Sequence, residues 1–427
     1  MISEWLSAAL ARRNIHYGWV MVGVTFLTAL ISAGAVGAPG VFIVPLQNEF
    51  GWTTAEISSA LSIRLVLFGV MAPFAAALLN RFGLRNVTLS ALLTVATALV
   101  ISLAMTKLWQ LMVLWGLVVG IGTGMTALVL GATVSARWFA ARRGLVVGIL
   151  TASAATGQLV FLPLLASLTE RMGWRVALGL MCGMLGVAAL GVLLAMRDRP
   201  SDVGLRPFGD EGNDLLPTPP PNTTPIMAAA LGALRDAAKT RVFWILFATF
   251  FICGASTNGL IQVHLIPMCL DFGIPQVQAA SLLAAMGVFD LFGTIGSGWL
   301  SDRYDNRWLL FWYYGLRGLS LLFLPFTNFS FYGLSLFAMF YGLDWIATVP
   351  PTVRLTAQRF GPERANLVFG WIFAGHQLGA ATAAFGAGLS RTVLATYLPA
   401  FFAAGALCIV AALITLAISR QSKPAVA

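Results

Sequence analysis

The sequence predicts an all-α polytopic membrane protein: twelve transmembrane helices in two pseudo-symmetric six-helix bundles. Three observations carry that expectation. Of 427 residues, 59% are hydrophobic and only 10% are charged, with mean hydropathy +0.85, whereas a soluble chain carries about a quarter charged residues. Runs of roughly twenty apolar residues, each long enough to cross a hydrocarbon core as a helix, recur from one end to the other. Finally, one shift of 222 positions matches the first half to the second.

Apolar windows place the first six spans near 17–46, 54–79, 86–106, 109–136, 144–168 and 173–196. A second six follow near 241–270, 276–300, 308–327, 331–353, 365–390 and 394–419. Near the start, Arg12 and Arg13 precede an apolar stretch that runs into "SAGAVGA". The arrangement imitates a secretory signal, but the apolar stretch continues to "PGVFIVPL" and has a counterpart later in the chain. It reads as a retained first span. Between the halves lies a polar stretch, 197–240, whose "LPTPPPNTTP" core is incompatible with a helix and reads as a linker. The chain therefore divides into bundles 1–196 and 241–427 joined by a cytoplasmic linker, 197–240.

Under the 222-position shift Pro45 meets Pro267, Glu49 meets Asp271, and Phe50-Gly51 meets Phe272-Gly273. Arg81 meets Arg303, Arg85 meets Arg307, Gly120 meets Gly342, Arg142 meets Arg364, and Gly157 meets Gly379. One ungapped offset from span 1 to span 5 marks duplicated six-span halves, the plan of proteins that rock two bundles about a midplane site. With both termini on the cytoplasmic side, nineteen of the 26 basic residues fall on that side and only Lys107, Arg171, Arg175 and Arg391 on the other. The bias sets the expected orientation, in a bacterial inner membrane.

The net charge of +10 would suggest nucleic acid in a soluble chain; here it reports loop orientation. Cys182, Cys253, Cys269 and Cys408 lie in apolar stretches without a pairing pattern and read as small hydrophobes. The chain has no phosphate-binding loop, zinc-type His-Glu helix or nucleophile elbow. Neither enzyme activity, nor a cofactor, nor a metal is implied.

Between spans 8 and 9 the chain reads Gly298-Trp-Leu-Ser-Asp302-Arg303-Tyr-Asp305-Asn306-Arg307, and the first-half copy reads Ala76-Ala-Leu-Leu-Asn80-Arg81-Phe-Gly83-Leu-Arg85. The second-half stretch resembles the cytoplasmic loop motif of the major facilitator superfamily. In the first-half copy Asn80 replaces the aspartate and Ala76 the glycine. The resemblance implies a gate in which Asp302, Arg303, Arg81 and Arg85 take part, a carboxylate at a helix end pairing with arginine from a neighbouring helix in one state of the carrier. The plainer alternative is that these charges only hold the loop inside.

Within the superfamily, "HYGW" (His16 to Trp19), "PLQNEFGW" closing span 1 and "RWFAARRGLVVGILTASAATG" entering span 5 resemble the monocarboxylate and oxalate/formate porters. Gly144, Gly148 and Gly157 of the last stretch mark one face suited to close helix packing. Where animal monocarboxylate carriers place a lysine after the span 1 proline, this chain has Gly40 after Pro39. Asp290 matches the aspartate of their span 8, but the arginine one turn on is Thr294. At the span 11 lysine of the oxalate carriers stands His376.

Ionisable groups at membrane depth are costly and normally face a cavity or a partner. Arg64, in "LSIRLVLFG", is the candidate for gripping a substrate carboxylate through its bidentate fork; its alternative is a pair with Asp290 or Asp344. Asp290 has no basic residue within ten positions and is the candidate proton-coupling group, unless it forms a permanent pair with a buried arginine. Asp344 is the second proton candidate. It lies beside Tyr341 on span 10, a helix type that lines the central cavity in the superfamily. Pro350-Pro351 should break or kink the inner half of that helix, a gating bend. His264, His376, Asn258, Gln262, Gln158 and Gln377 complete the expected substrate contacts. Arg317, on a peripheral helix type, is expected in a structural pair.

The expected activity is secondary transport of a small organic anion with a proton by a monomeric carrier, without nucleic acid as a partner. A proton-driven exporter of apolar compounds is the first alternative, although such antiporters carry a Gly-Pro motif in span 5 and here Gln158 follows Gly157. A non-transporting sensor is the second, although the tail "QSKPAVA" is short for one.

Overall fold

Inside hydrocarbon every backbone N–H and C=O must find a partner within its own segment, so long uncharged runs become helices. The computed structural model describes residues 12–13, 15–126, 128–210 and 226–418, setting aside a few side chains, that of Asn80 among them. Ten of its helices are long and apolar enough to cross a membrane. In the first half they are Gly18–Phe50, Thr54–Ala75, Leu84–Ser102, Leu108–Trp138 and Trp174–Ala195. In the second they are Arg241–Asp271, Gln276–Arg303, Asn306–Thr327, Phe331–Phe360 and Leu398–Thr415. Two further helices of spanning length, Arg143–Met172 and Pro362–Leu394, complete six in each half as spans 5 and 11. The "LPTPPPNTTP" stretch lies outside the described residues, but the linker contains a helix, Ile226–Ala237, that the sequence reading did not expect.

Several spans are interrupted. Span 1 breaks at Ala38 into Gly18–Gly37 and Pro39–Phe50, because Pro39 has no N–H to continue the ladder. Spans 4 and 7 contain wider turns over Met112–Val118 and Ala255–Ile261, a local form frequent at functional sites. Span 10 divides into Phe331–Asp344 and Val349–Phe360. Of the break or kink expected at the proline pair, the structure shows a break. Pro350 and Pro351 lie in the first turn of the second segment, where the fixed proline φ suits a helix start, and the break falls just before them.

The halves meet closely at the end remote from the linker and through their middle. Gln276 Nε2 donates to the Val41 carbonyl at 2.7 Å, Ser62 Oγ to the Ala381 carbonyl at 2.9 Å, and the Ala55 amide to Thr392 Oγ1 at 3.1 Å. Within the second half, glycines let backbones touch: a Cβ on Gly254 would overlap the His376 carbonyl, and one on Gly293 the Leu343 carbonyl. In span 5, Gly157 abuts the Leu30 carbonyl, but Gly148 has open space beside it. The expected packing face is therefore not shared by both.

Glu49 and Asp271, matched by the internal repeat, each bind an arginine at the far end: Glu49 pairs with Arg175 at 2.5 Å and Asp271 with Arg391 at 2.7 Å. The "HYGW" stretch docks at the linker end, where His16 bonds the Arg206 carbonyl at 2.9 Å and Tyr17 donates to the Ala195 carbonyl at 2.7 Å. Its role there is to fasten span 1 to the chain that leaves span 6.

Candidate functional site

The break in span 10 gathers polar groups from spans 7, 8 and 9. Pro351 has no N–H for the Ala347 carbonyl, so that oxygen needs another donor; Ser297 Oγ of span 8 supplies it at 2.5 Å. The guanidinium of Arg317, from span 9, donates to the carbonyls of Asp344 and, at 3.0 Å, Trp345. Its Nε donates to Asp344 Oδ2 at 2.6 Å and its Nη1 to Cys253 Sγ at 2.9 Å. From span 8, Asp290 Oδ1 accepts the Ile346 amide at 2.9 Å and the Thr294 hydroxyl at 3.0 Å. Cys253 also lies 3.3 Å from Thr348 Oγ1. Spans 8 and 9 together satisfy the backbone that span 10 leaves open, and Cys253 of span 7 supports the Arg317 guanidinium and the Thr348 hydroxyl beside it.

This shell differs from the sequence reading in one respect: Cys253 is a polar partner of a buried cation, not merely a small hydrophobe. Asp344, the second proton candidate, is held by Arg317, and its second oxygen, Oδ1, is buried without a partner. The structural pair expected for Arg317 is present. Asp290 forms no ion pair among the described residues, so one fixed cation stands against two buried carboxylates.

Arg64 lies elsewhere. It is 4% exposed, and it pairs with neither Asp290 nor Asp344. Its Nη2 donates to the Val36 carbonyl at 3.1 Å, beside the break in span 1. It lines a cavity walled by residues of spans 1, 2, 3, 4 and 6, all within the first half. Gly120 lets span 4 close directly over the Arg64 backbone.

The remaining candidates fall along spans 5, 7, 10 and 11. His376 sits between Phe250 and Phe373, with ring centroids 4.8 and 5.6 Å away, and its Nδ1 has no partner. Gln377, fully buried, has neither amide atom bonded and lies where Gly69 of span 2 approaches. His264 Nε2 bonds the Ala384 carbonyl at 2.8 Å, leaving Nδ1 without a partner. Tyr341 donates to the Ser256 carbonyl at 2.8 Å. Gln262 is buried, its own carbonyl close to Gly40 of span 1, and Asn258 belongs to the wide turn of span 7. Gln158 is half-buried beside Gly37. Gln377 and Gln262 lie where the other half approaches, whereas His376, His264, Tyr341 and Gln158 make these contacts within their own halves, so the groups do not form one cluster.

At the linker end Asp302 pairs with Arg354 of span 10. Arg303 folds back on span 8, stacking on Trp299 at 4.1 Å, and Arg81 lies over its neighbour Phe82 at 5.4 Å. In the first half the carboxylate comes from Asp198, which follows span 6. It abuts Gly83 and accepts the Arg85 amide at 3.0 Å, capping span 3. Sequence reasoning missed Asp198 because its partner lies 113 positions away.

Comparison with known proteins agrees with this architecture. The family model described as Major Facilitator Superfamily matches residues 25–384 and 265–426. Monocarboxylate transporter 12-B of Danio rerio is 27% identical over 360 residues, covering 78% of this chain and 73% of that protein. An uncharacterized MFS-type transporter, YcxA, of Bacillus subtilis (strain 168) is 23% identical over 389 residues, covering 88% and 89%. Among solved structures, a D-xylose-proton symporter superposes with a TM-score of 0.70 at 14% identity, covering 95% of this chain and 99% of that one.

Proposed function

The chain belongs to the major facilitator superfamily, a multi-pass transporter family and not an enzyme family, and on that premise we propose that it carries a small organic anion, a carboxylate, together with a proton. The observation that supports the reading most directly is the pair of buried carboxylates around one guanidinium. Arg317 neutralises Asp344, while Asp290 has only hydrogen bonds from Ile346 and Thr294. An ionised carboxylate without a counter-charge is costly at this depth, and a proton removes that charge. Asp290 is therefore the proposed proton carrier, and its bond to Ile346 ties proton occupancy to the break in span 10. Similarity to proteins named monocarboxylate transporters supports the anion class.

In this reading the substrate lies between the halves. His376, Gln377, His264, Gln262, Asn258, Gln158 and Tyr341 are its proposed polar contacts, and Arg64 is proposed to meet its carboxylate end from the cavity inside the first-half bundle. Rocking of the halves exposes the path to each side in turn. The ion pair of Asp302 with Arg354 is proposed to belong to one of the two states, with Arg303, Arg81 and Arg85 around the same gate. The basic bias of the loops supports a plasma membrane location with both termini in the cytoplasm, and the carrier is proposed to work as a monomer. Uptake of labelled carboxylates by proteoliposomes under an imposed pH gradient is the test. Inward accumulation driven by external acid supports the proposal; outward antiport of apolar compounds, or no flux, refutes it.

A further inference from the structure

Among the described residues, each half holds one buried arginine, and it lies against an interrupted helix. In the second half Arg317 binds the carbonyls at the break in span 10, and Asp344 neutralises it. In the first half Arg64 binds the Val36 carbonyl at the break in span 1. Among the described residues no carboxylate lies within ion-pair distance of Arg64. Its guanidinium does not shed its proton, and a lone buried cation is costly. What occupies the place of Asp344 is a cavity of about 20 Å³, room for one water-sized group. Ala35, Phe42, Leu99 and Met181 make most of its wall apolar. Trp115, 3% exposed, lines the same cavity and carries an indole N–H without an acceptor. Trp115 sits in the wide turn of span 4, and Gly116 and Gly120 bring that span against the backbone of span 2.

We propose that Arg64 and Trp115 form a site for one small monoanion inside the first-half bundle, whose chemistry is shared by a halide ion and the carboxylate end of an organic anion. The residues offer a full positive charge and a neutral donor, with no acceptor side chain among those lining the cavity, so a cation or a neutral polyol would gain nothing there. The cavity's size excludes a whole sugar or aromatic acid. The inference deepens the preceding reading by naming the groups that meet the substrate's charge, but a free halide would satisfy it without transport.

The test is the thermal stability of the purified full chain in chloride, formate or methanesulfonate at equal ionic strength. Methanesulfonate is too bulky for the cavity. Chloride or formate should raise the melting temperature by about 2 °C or more over methanesulfonate, because an anion that binds only the folded state stabilises it. Arg64→Gln should abolish the increment and Trp115→Phe should reduce it. If Arg64→Gln does not fold, Arg64→Lys should shift the half-maximal anion concentration upward by about fivefold or more. The same increments in wild type and variants, or no difference among the three salts in wild type, would overturn the proposal. A response to formate alone identifies a carboxylate as the ligand, and a response to chloride identifies a free inorganic ion. An anion-dependent melting temperature without carboxylate uptake would leave this site standing and remove the transport reading; uptake without the anion effect would do the reverse.

Discussion

Arg317 and Asp344 meet at 2.6 Å across the break in span 10, and the same guanidinium also holds the Asp344 and Trp345 carbonyls that the break exposes. The pair is thus a structural joint, and Asp290, on the neighbouring span, is the carboxylate left without a salt bridge. That division of labour orders the predictions.

Asp290→Asn should keep substrate binding and exchange between equal concentrations, because the amide resembles the protonated acid and can still accept the Ile346 N–H. Accumulation driven by a pH gradient should disappear. Proteoliposome exchange and uptake, measured side by side, separate the two. Wild-type pH-driven accumulation in Asp290→Asn would move the coupling site elsewhere.

Asp344→Asn should instead act on folding. Removing one partner of a buried ion pair leaves an uncompensated charge and costs roughly 3–5 kcal/mol. Arg317→Met, which also strips the donor from the Asp344 and Trp345 carbonyls, should cost at least as much, while adding Asp344→Leu to it should recover the part due to the unpaired carboxylate. Thermal melts of the three purified proteins make the comparison. A double variant no more stable than Arg317→Met alone would show that the pair is not the joint described here.

Ser297→Ala removes the donor to the Ala347 carbonyl, leaving a buried acceptor unsatisfied at a cost of about 1–3 kcal/mol. Pro351→Ala in that background restores an N–H close to the same carbonyl, so part of the loss should return. Absence of any recovery would mean that the proline is not what frees that oxygen.

Asp302→Asn breaks a partly exposed pair with Arg354, so stability should change by at most about 1 kcal/mol. The balance between carrier states should nonetheless move, since a bond present in one state biases the equilibrium toward it. Labelling of cysteines placed at the two ends of the bundles reports that balance. Unchanged labelling at both ends would leave Asp302 with a purely topological role.

Gly254→Ala places a Cβ against the His376 carbonyl and should prevent spans 7 and 11 from closing. Gly148→Ala, which meets open space, should be nearly neutral. Yields of folded protein from the two variants give the contrast; equal yields would contradict the packing described.

The span pattern was legible because hydrocarbon forces apolar runs into helices, and the duplication because the same motifs recur at one offset. Asp290 stood out for its isolation from basic residues. The partners of the buried charges were not legible. Arg317 reaches Asp344 from 27 positions away and Cys253 from 64, distances on which one sequence carries no signal. Span 10 shows the same limit. Two adjacent prolines announce a disturbance, but whether they kink a helix or begin one depends on whether other spans can satisfy the freed carbonyls. Arg64 was recognised as unusual, yet only the packing of spans 3, 4 and 6 around it reveals that it faces into its own bundle.

The helix Ile226–Ala237 changes what kind of object the linker is. It packs on span 2 of one bundle and span 11 of the other, and its Ala230 carbonyl accepts the Trp371 indole N–H at 2.8 Å. Asp236 meets Arg364 at 3.4 Å at its far end. A connection docked on both bundles is a brake shoe and not a string: under the proposed rocking, parting the bundles at that end would require it to slide on one of them or lift away. Its grip would then enter the barrier between states, and transport would be throttled from this short helix without altering a single group that touches cargo.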